Sequence, residues 1–153
     1  MPAFLEGVKL AIQAGLDLNT TDHAGEPPFA HLLNHYGMAP LLESLVSLGL
    51  DLKRQNQLGQ IALHYYCTDP AIKALLLKQA FDVNHQDGHG DTPLHLCFKY
   101  KAGHDSLLKA GARWDIPNKA GVTALHLVQQ LKPDDWTRKL FAQAGCAEAL
   151  APR

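Results

Sequence analysis

The stretch Gly90-Asp91-Thr92-Pro93-Leu94-His95 recurs 31 residues later as Gly121-Val122-Thr123-Ala124-Leu125-His126, and 31 residues earlier as Gly59-Gln60-Ile61-Ala62-Leu63-His64. A second phrase keeps the same step: Ala80-Phe81-Asp82-Val83-Asn84 is followed by Gly111-Ala112-Arg113-Trp114-Asp115. A fixed period of this length marks stacked supersecondary units, each burying its apolar face against its neighbours. The functional question therefore moves from a single pocket to the residues displayed along the face of a stack.

Each unit reads as a turn, a first helix, a connection, a second helix and an exit loop. The turn blocks begin at Asp22, Asn56, Asp87 and Asn118, each three residues before a glycine: Gly25, Gly59, Gly90 and Gly121. Glycine at that place supplies the positive φ of a tight turn at no steric cost. Thr92-Pro93 is a compact helix start, because the threonine can cap free N–H groups and proline at the first helical position loses no needed donor. The second helices carry apolar stripes at helical spacing: Leu41, Leu42, Leu45 and Val46; Ile72, Leu75 and Leu76; Leu107 and Leu108; Trp136, Leu140 and Phe141. They end at Gly49, Gly111 and Gly145, with Ala80 in the equivalent place and Gly15 closing an earlier helix.

The pattern Asp/Asn-x-x-Gly-x-Thr-Pro-Leu-His, followed by a Leu-Leu-x-x-Gly-Ala-Asp-Val-Asn-like exit, resembles the ankyrin repeat. The likeness runs from about Phe4 to Cys146 and is strongest over 84–127. It implies an all-α solenoid of helix-turn-helix units with short hairpin-like loops. The chain divides as a single repeat domain, with a half-unit at 1–21 and units at 22–55, 56–86, 87–117 and 118–150. Against the family period of about 33, the two central units take 31, and the deletion falls between their helices because His64 to Ala80 and His95 to Gly111 are each 16 apart. His126 to Gly145 spans 19 and Gly25 to Gly59 spans 34, which predicts a regular middle with irregular ends. Pro27-Pro28-Phe29-Ala30 and Ile61 lack the capping threonine, so the N-terminal half is expected to be the softer. The half-unit holds one helix, made apolar by Phe4, Leu5, Val8, Leu10 and Ile12. It reads as a short cap that tucks its apolar face inward rather than as a start inside a longer protein.

Composition narrows the classes of function. Lysine and arginine number 14 against 15 aspartate and glutamate, a net charge of −1, which removes the electrostatic case for nucleic acid or an anionic membrane. No apolar run reaches the length of a membrane span, and the N-terminus lacks the features of a secretion signal. Cys67, Cys97 and Cys146 are odd in number and show no Cys-x-x-Cys spacing, which points to a reducing, cytoplasmic setting without disulfides.

Residues with chemistry are sparse. His64, His95 and His126 are in phase, and the resemblance implies that they bond the threonine cap and the neighbouring unit's backbone. His31 and His35, four apart, and His85 and His89, flanking a turn tip, lack a third ligand; no metal and no cofactor is expected. Cys67 and Cys97 read as buried packing residues, and Asp134-Asp135 as a helix-start feature. No serine, cysteine or threonine stands beside an evident base, so the chain is read as a non-enzyme.

What remains is a surface. The resemblance implies that partners engage a concave face lined by turn tips and first-helix ends. Carried onto this sequence, the candidates are His23, Glu26, His35, Tyr36, Gln57, Leu58, Gln60, Asp69, His89, Asp91, Lys99, Tyr100, Lys119 and Val122. Tyr36 and Tyr100 stand out because tyrosine combines contact area with a polar tip. The expected function is protein–protein interaction, as a stoichiometric inhibitor or immunity-type protein, or else as an adaptor or regulatory subunit. The different-class alternative is a small-ligand or metal-binding protein using the histidines. The expected state is a monomer, with the apolar N-terminal helix as the candidate seam of a homodimer.

Overall fold

The computed structural model describes residues 2–33, 35–65, 69–100, 104–130, 139 and 141–146. It divides into two compact units, Met1–Phe81 and Asp82–Arg153. All regular elements among the described residues are helical, as an ankyrin solenoid requires. Trp136 and Leu140, expected on the last second helix, lie outside the described residues, as do Tyr66, Cys67 and Thr68.

One bracket recurs at all the turn blocks. At the first, the Asp22 N–H donates to the Glu26 carbonyl (3.0 Å) and the Gly25 N–H to the Asp22 carbonyl (2.9 Å). Asp22 Oδ1 accepts from the Ala24 and Glu26 N–H groups at 2.8 and 2.9 Å. Asn56, Asp87 and Asn118 reproduce this pattern, each with Oδ1 taking the N–H groups two and four residues on. The bracket satisfies turn donors that would otherwise need water or a strand partner, and it holds each tip in one conformation.

In Met1–Phe81 the half-unit is the single helix α1 (Pro2–Gln13). Its end is a Schellman cap, with the Leu16 N–H reaching the Ala11 carbonyl (2.8 Å) and the Gly15 N–H the Ile12 carbonyl (2.9 Å). The helix tucks Leu5, Val8 and Ile12 partly inward but leaves Phe4 and Leu10 exposed, so the expected cap is only half apolar-side-in. The next unit has a first helix of one turn, α2 (Ala30–Leu33), and a longer second helix, α3 (Ala39–Ser47). Where a first helix is expected after Ile61 there is a 3-10 turn, Ala62–His64, followed by extended backbone at Tyr65 (φ −76°, ψ 143°). The regular middle expected from the period is therefore absent here. Both shortened starts lack the threonine cap, and Pro27-Pro28 removes two N–H donors while holding the preceding residue out of helical backbone. Phe29, fully buried, packs edge-on against Tyr65 with ring centroids 5.7 Å apart. The second helix α4 (Pro70–Lys78) buries Ile72, Leu75 and Leu76 as its stripe predicts.

In Asp82–Arg153 the first helix is full length: α5 (Pro93–Tyr100), followed by α6 (His104–Lys109) and α7 (Ala124–Gln130). The Thr92 N–H and hydroxyl converge on His95 Nδ1 at 3.1 and 2.8 Å, and His95 Nε2 lies 3.0 Å from the Val122 carbonyl. With Nδ1 accepting, Nε2 carries the proton and donates it to that carbonyl, so one buried ring joins two consecutive units. Thr123 and His126 repeat the local half of this motif, at 3.1 Å from N–H to Nδ1. Phe98 packs on Phe141 with centroids 5.5 Å apart, and Leu107 is buried. Cys97 is half-buried and not in a disulfide, in contrast to the buried packing role read from its position.

The exit loops are tied by asparagine. Asn19 accepts from the Asp51 N–H (2.7 Å) and donates to the Gly49 carbonyl (3.0 Å), and Asn84 accepts from the Arg113 N–H (2.7 Å).

Gly90 and Gly121 share a left-handed backbone, φ +78° and +74°, but differ in surroundings. A Cβ at Gly90 would lie 2.7 Å from the Lys119 backbone nitrogen, whereas at Gly121 it would meet nothing within 4 Å. Gly121→Ala should cost about 1 kcal/mol from backbone strain alone. Gly90→Ala adds a clash with main chain that cannot swing aside, raising the loss to roughly 2–3 kcal/mol. Thermal or urea unfolding of the two variants checks this, and equal losses would contradict the close approach of the two tips.

Candidate partner-binding surface

The brackets sort the turn residues into those that hold the fold and those it displays. In the first compact unit, His23, Gln57 and Leu58 project into solvent, and so do His35 and Tyr36 at the end of α2. Tyr36 is 73% exposed and Leu58 48%, which makes them the large apolar side chains available on these tips. In the second compact unit His89, Lys99 and Lys119 are exposed. Lys119 is also tied back: its Nζ donates to the Gly88 carbonyl (2.6 Å) and its N–H to the His89 carbonyl (3.0 Å), fastening consecutive tips together. Tyr100 closes α5, and its side chain lies outside the described residues.

Several candidates are placed in the framework instead. Asp69 is only 4% exposed; it caps α4 by accepting from the Ala71 N–H (2.8 Å) and takes the Gly37 N–H at 2.8 Å. The Gly37 N–H, with that of Ala71, holds its carboxyl below the usual carboxylate range. Both oxygens therefore serve the fold, and a residue chosen as a binding group is an inward clamp between successive units. Glu26 and Gln60 are likewise engaged. Asn56 Nδ2 donates to Glu26 Oε1 and to Gln60 Oε1, each at 3.1 Å, and the Tyr65 hydroxyl makes a short bond to Glu26 Oε2. Burial, and then the Glu26 carboxylate, push the Tyr65 phenol well above its ordinary value. Val122 contributes its carbonyl to His95, as described above.

Asp91 and Lys99 converge. Together with Gln130 they border a cleft of about 270 Å³ between α5 and α7, lined also by Leu96 and Leu127. Asp91 is held in place there, its Oδ1 accepting from Asn118 Nδ2 at 2.6 Å. Asp91 and Lys99 are expected on one face from the sequence, whereas the apolar lining is not. Leu96 and Leu127 belong to the first helices, whose stripes carry no expected binding part. Leu96 and Leu127 stand one residue after His95 and His126, and that shared phase is the signal that could have shown the lining.

His31 Nε2 faces Asp22 Oδ2 at 3.1 Å, and two backbone N–H groups, Glu26 first, lower the Asp22 carboxyl further than that histidine does. Among the described residues no cluster of three histidine, cysteine, aspartate or glutamate side chains is arranged to hold a metal ion. No helix among them is long and apolar enough to cross a membrane.

Comparison with known proteins agrees with the repeat geometry. The ankyrin repeats family (three copies) matches residues 29–116, more than half of the chain. The chain is similar to an ankyrin repeat protein of Fowlpox virus (strain NVSL), with 35% identity over 81 residues, 50% of this chain and 15% of that protein. It is also similar to an ADP-ribosylation factor GTPase-activating protein, AGD2, of Arabidopsis thaliana, with 36% identity over 79 residues, 48% of this chain and 10% of that protein. The matched region is thus a small part of each relative's length.

The Tyr65–Glu26 contact gives a pH signature. A phenol whose folded-state pKa is raised contributes stability that is complete below the unfolded value of about 10 and is lost as pH rises past it, because the unfolded chain ionises first. The melting temperature should therefore fall faster on the alkaline side in the native protein than in Tyr65→Phe. Parallel alkaline limbs would show that the hydroxyl is not held by Glu26.

Proposed function

The chain belongs to the ankyrin repeat family, and on that premise we propose that it is a non-enzymatic module that binds a partner protein through its turn tips and the α5–α7 cleft. Ankyrin repeats are generally protein–protein interaction modules. The observation that carries the reading here is the cleft: it is lined by the apolar Leu96, Phe98 and Leu127 together with half-buried Asp91 and exposed Lys99 and Gln130. Apolar contact combined with polar groups is how a protein interface is built. Opposite charges in the lining favour a partner segment that presents an apolar side chain flanked by groups of both signs. Within Asp82–Arg153 the neighbouring tips add His89 and Lys119, both exposed.

Occlusion is the action open to such a surface, so the role is read as a stoichiometric inhibitor or immunity-type protein, with an adaptor or regulatory subunit as the alternative. The cytosol is the expected compartment. A ligand or metal role for the histidines has less support, since His95 is consumed by Thr92 and Val122 and His31 faces Asp22.

The test begins with affinity purification and mass spectrometry from the native host, using the chain as bait, to obtain the partner. Lys99→Glu combined with Gln130→Ala should then weaken its capture about tenfold or more, which corresponds to 1.4 kcal/mol, while circular dichroism stays unchanged. Arg113→Glu, on an exit loop, should leave capture intact. The reverse pattern, loss on the exit loop and none at the cleft, would move the binding face.

A further inference from the structure

The side of α1 turned away from its own chain carries a pattern that fits a second copy of itself. At helical spacing α1 divides into three stripes. Leu5, Val8 and Ile12 are half-buried and face inward, and Glu6, Lys9 and Gln13 form an exposed polar stripe. The third stripe is Ala3, Phe4, Gly7 and Leu10, all exposed and without a charge. Among the described residues the exposed large hydrophobics are Phe4, Leu10, Leu16, Tyr36 and Leu58, so three of the five lie on this half-unit. Phe4 is 56% exposed and Leu10 65%, and the two share one face of the helix rather than being scattered singly.

The stripe is symmetric about Gly7. Phe4 and Leu10 stand three residues to either side, and a Cβ at Gly7 would meet nothing within 4 Å, so a notch lies open between them. Two such helices crossing antiparallel at Gly7 put Phe4 of each copy against Leu10 of the other, which is the self-complementarity that a two-fold interface demands. The charges agree. Glu6 and Lys9, paired at 2.8 Å within the helix, lie along one edge of the stripe. Like edges meet in an antiparallel pair, bringing each copy's Glu6 beside the other's Lys9. A membrane surface is a poorer occupant, because the polar stripe has one basic residue where interfacial helices are rich in them.

We propose that the Ala3–Phe4–Gly7–Leu10 face of α1 is the seam of a weak, reversible homodimer of this chain, formed by antiparallel crossing at Gly7. The helix is about 18 Å long, and its face falls short of the roughly 800 Å² per partner of a standard complex. The protein is therefore monomeric when dilute and pairs on concentration. This seam is independent of the partner surface on α5 and α7, and each can fail without the other.

Sedimentation equilibrium of the 153-residue chain tests the proposal. The expected result is a monomer on the order of 10 µM and a growing dimer fraction toward ~1 mM. Leu10→Glu should abolish pairing with unchanged circular dichroism, since Leu10 is exposed. Glu6→Lys and Lys9→Glu should each weaken pairing severalfold at low salt, and the double exchange should restore it. A monomer at every concentration overturns the proposal. So does self-association indifferent to Leu10→Glu, or binding of α1 to phosphatidylserine vesicles without self-association.

Discussion

A single side-chain oxygen accepting two backbone N–H groups is the interaction on which the rest of this structure depends. Asp22, Asn56, Asp87 and Asn118 each spend Oδ1 in this way. Without it, each tip would have buried or semi-buried donors and no strand to receive them. With it, the chain reverses within a few residues and the next helix begins at a set place.

The choice between aspartate and asparagine then has a consequence. Both supply Oδ1, but only asparagine has an Nδ2 donor left over. Within Met1–Phe81, Asn56 turns that donor toward Glu26, and within Asp82–Arg153, Asn118 turns it toward Asp91. The same residue closes its own turn and holds the carboxylate of the unit before it. This is why Glu26 and Asp91, one residue past their glycines, act as stacking groups as well as surface groups. Displayed side chains such as His23, Leu58 and His89 are free to differ because they carry no part of this load.

Much of this was legible in the sequence. The glycines three residues after each Asp or Asn, the Thr-x-x-His phase and the stripe Ile72, Leu75 and Leu76 each follow from a local rule, and each is placed as expected. The first helices of the second and third units were not legible in length. Apolar periodicity continues through Ala62-Leu63-His64, yet the backbone at Tyr65 is extended. Tyr65 instead faces Phe29 and Glu26, contacts 36 and 39 residues away that no window of sequence displays. Asp69 was misread for a similar reason. Its place before Pro70 announces a helix cap, but its second bond, to Gly37, comes from the preceding unit.

The sequence determined the repeat, the phase of its turns and the capping pairs, because these rest on bonds spanning two to four residues. The tertiary structure decided which tip residues are consumed in stacking, that Leu96 and Leu127 line a cleft with Asp91 and Lys99, and that Phe4 and Leu10 remain in solvent. Those outcomes rest on partners about 30 residues apart, one repeat period, where identical local rules leave several residues equally able to face inward or outward. Only packing against the neighbouring unit chooses between them.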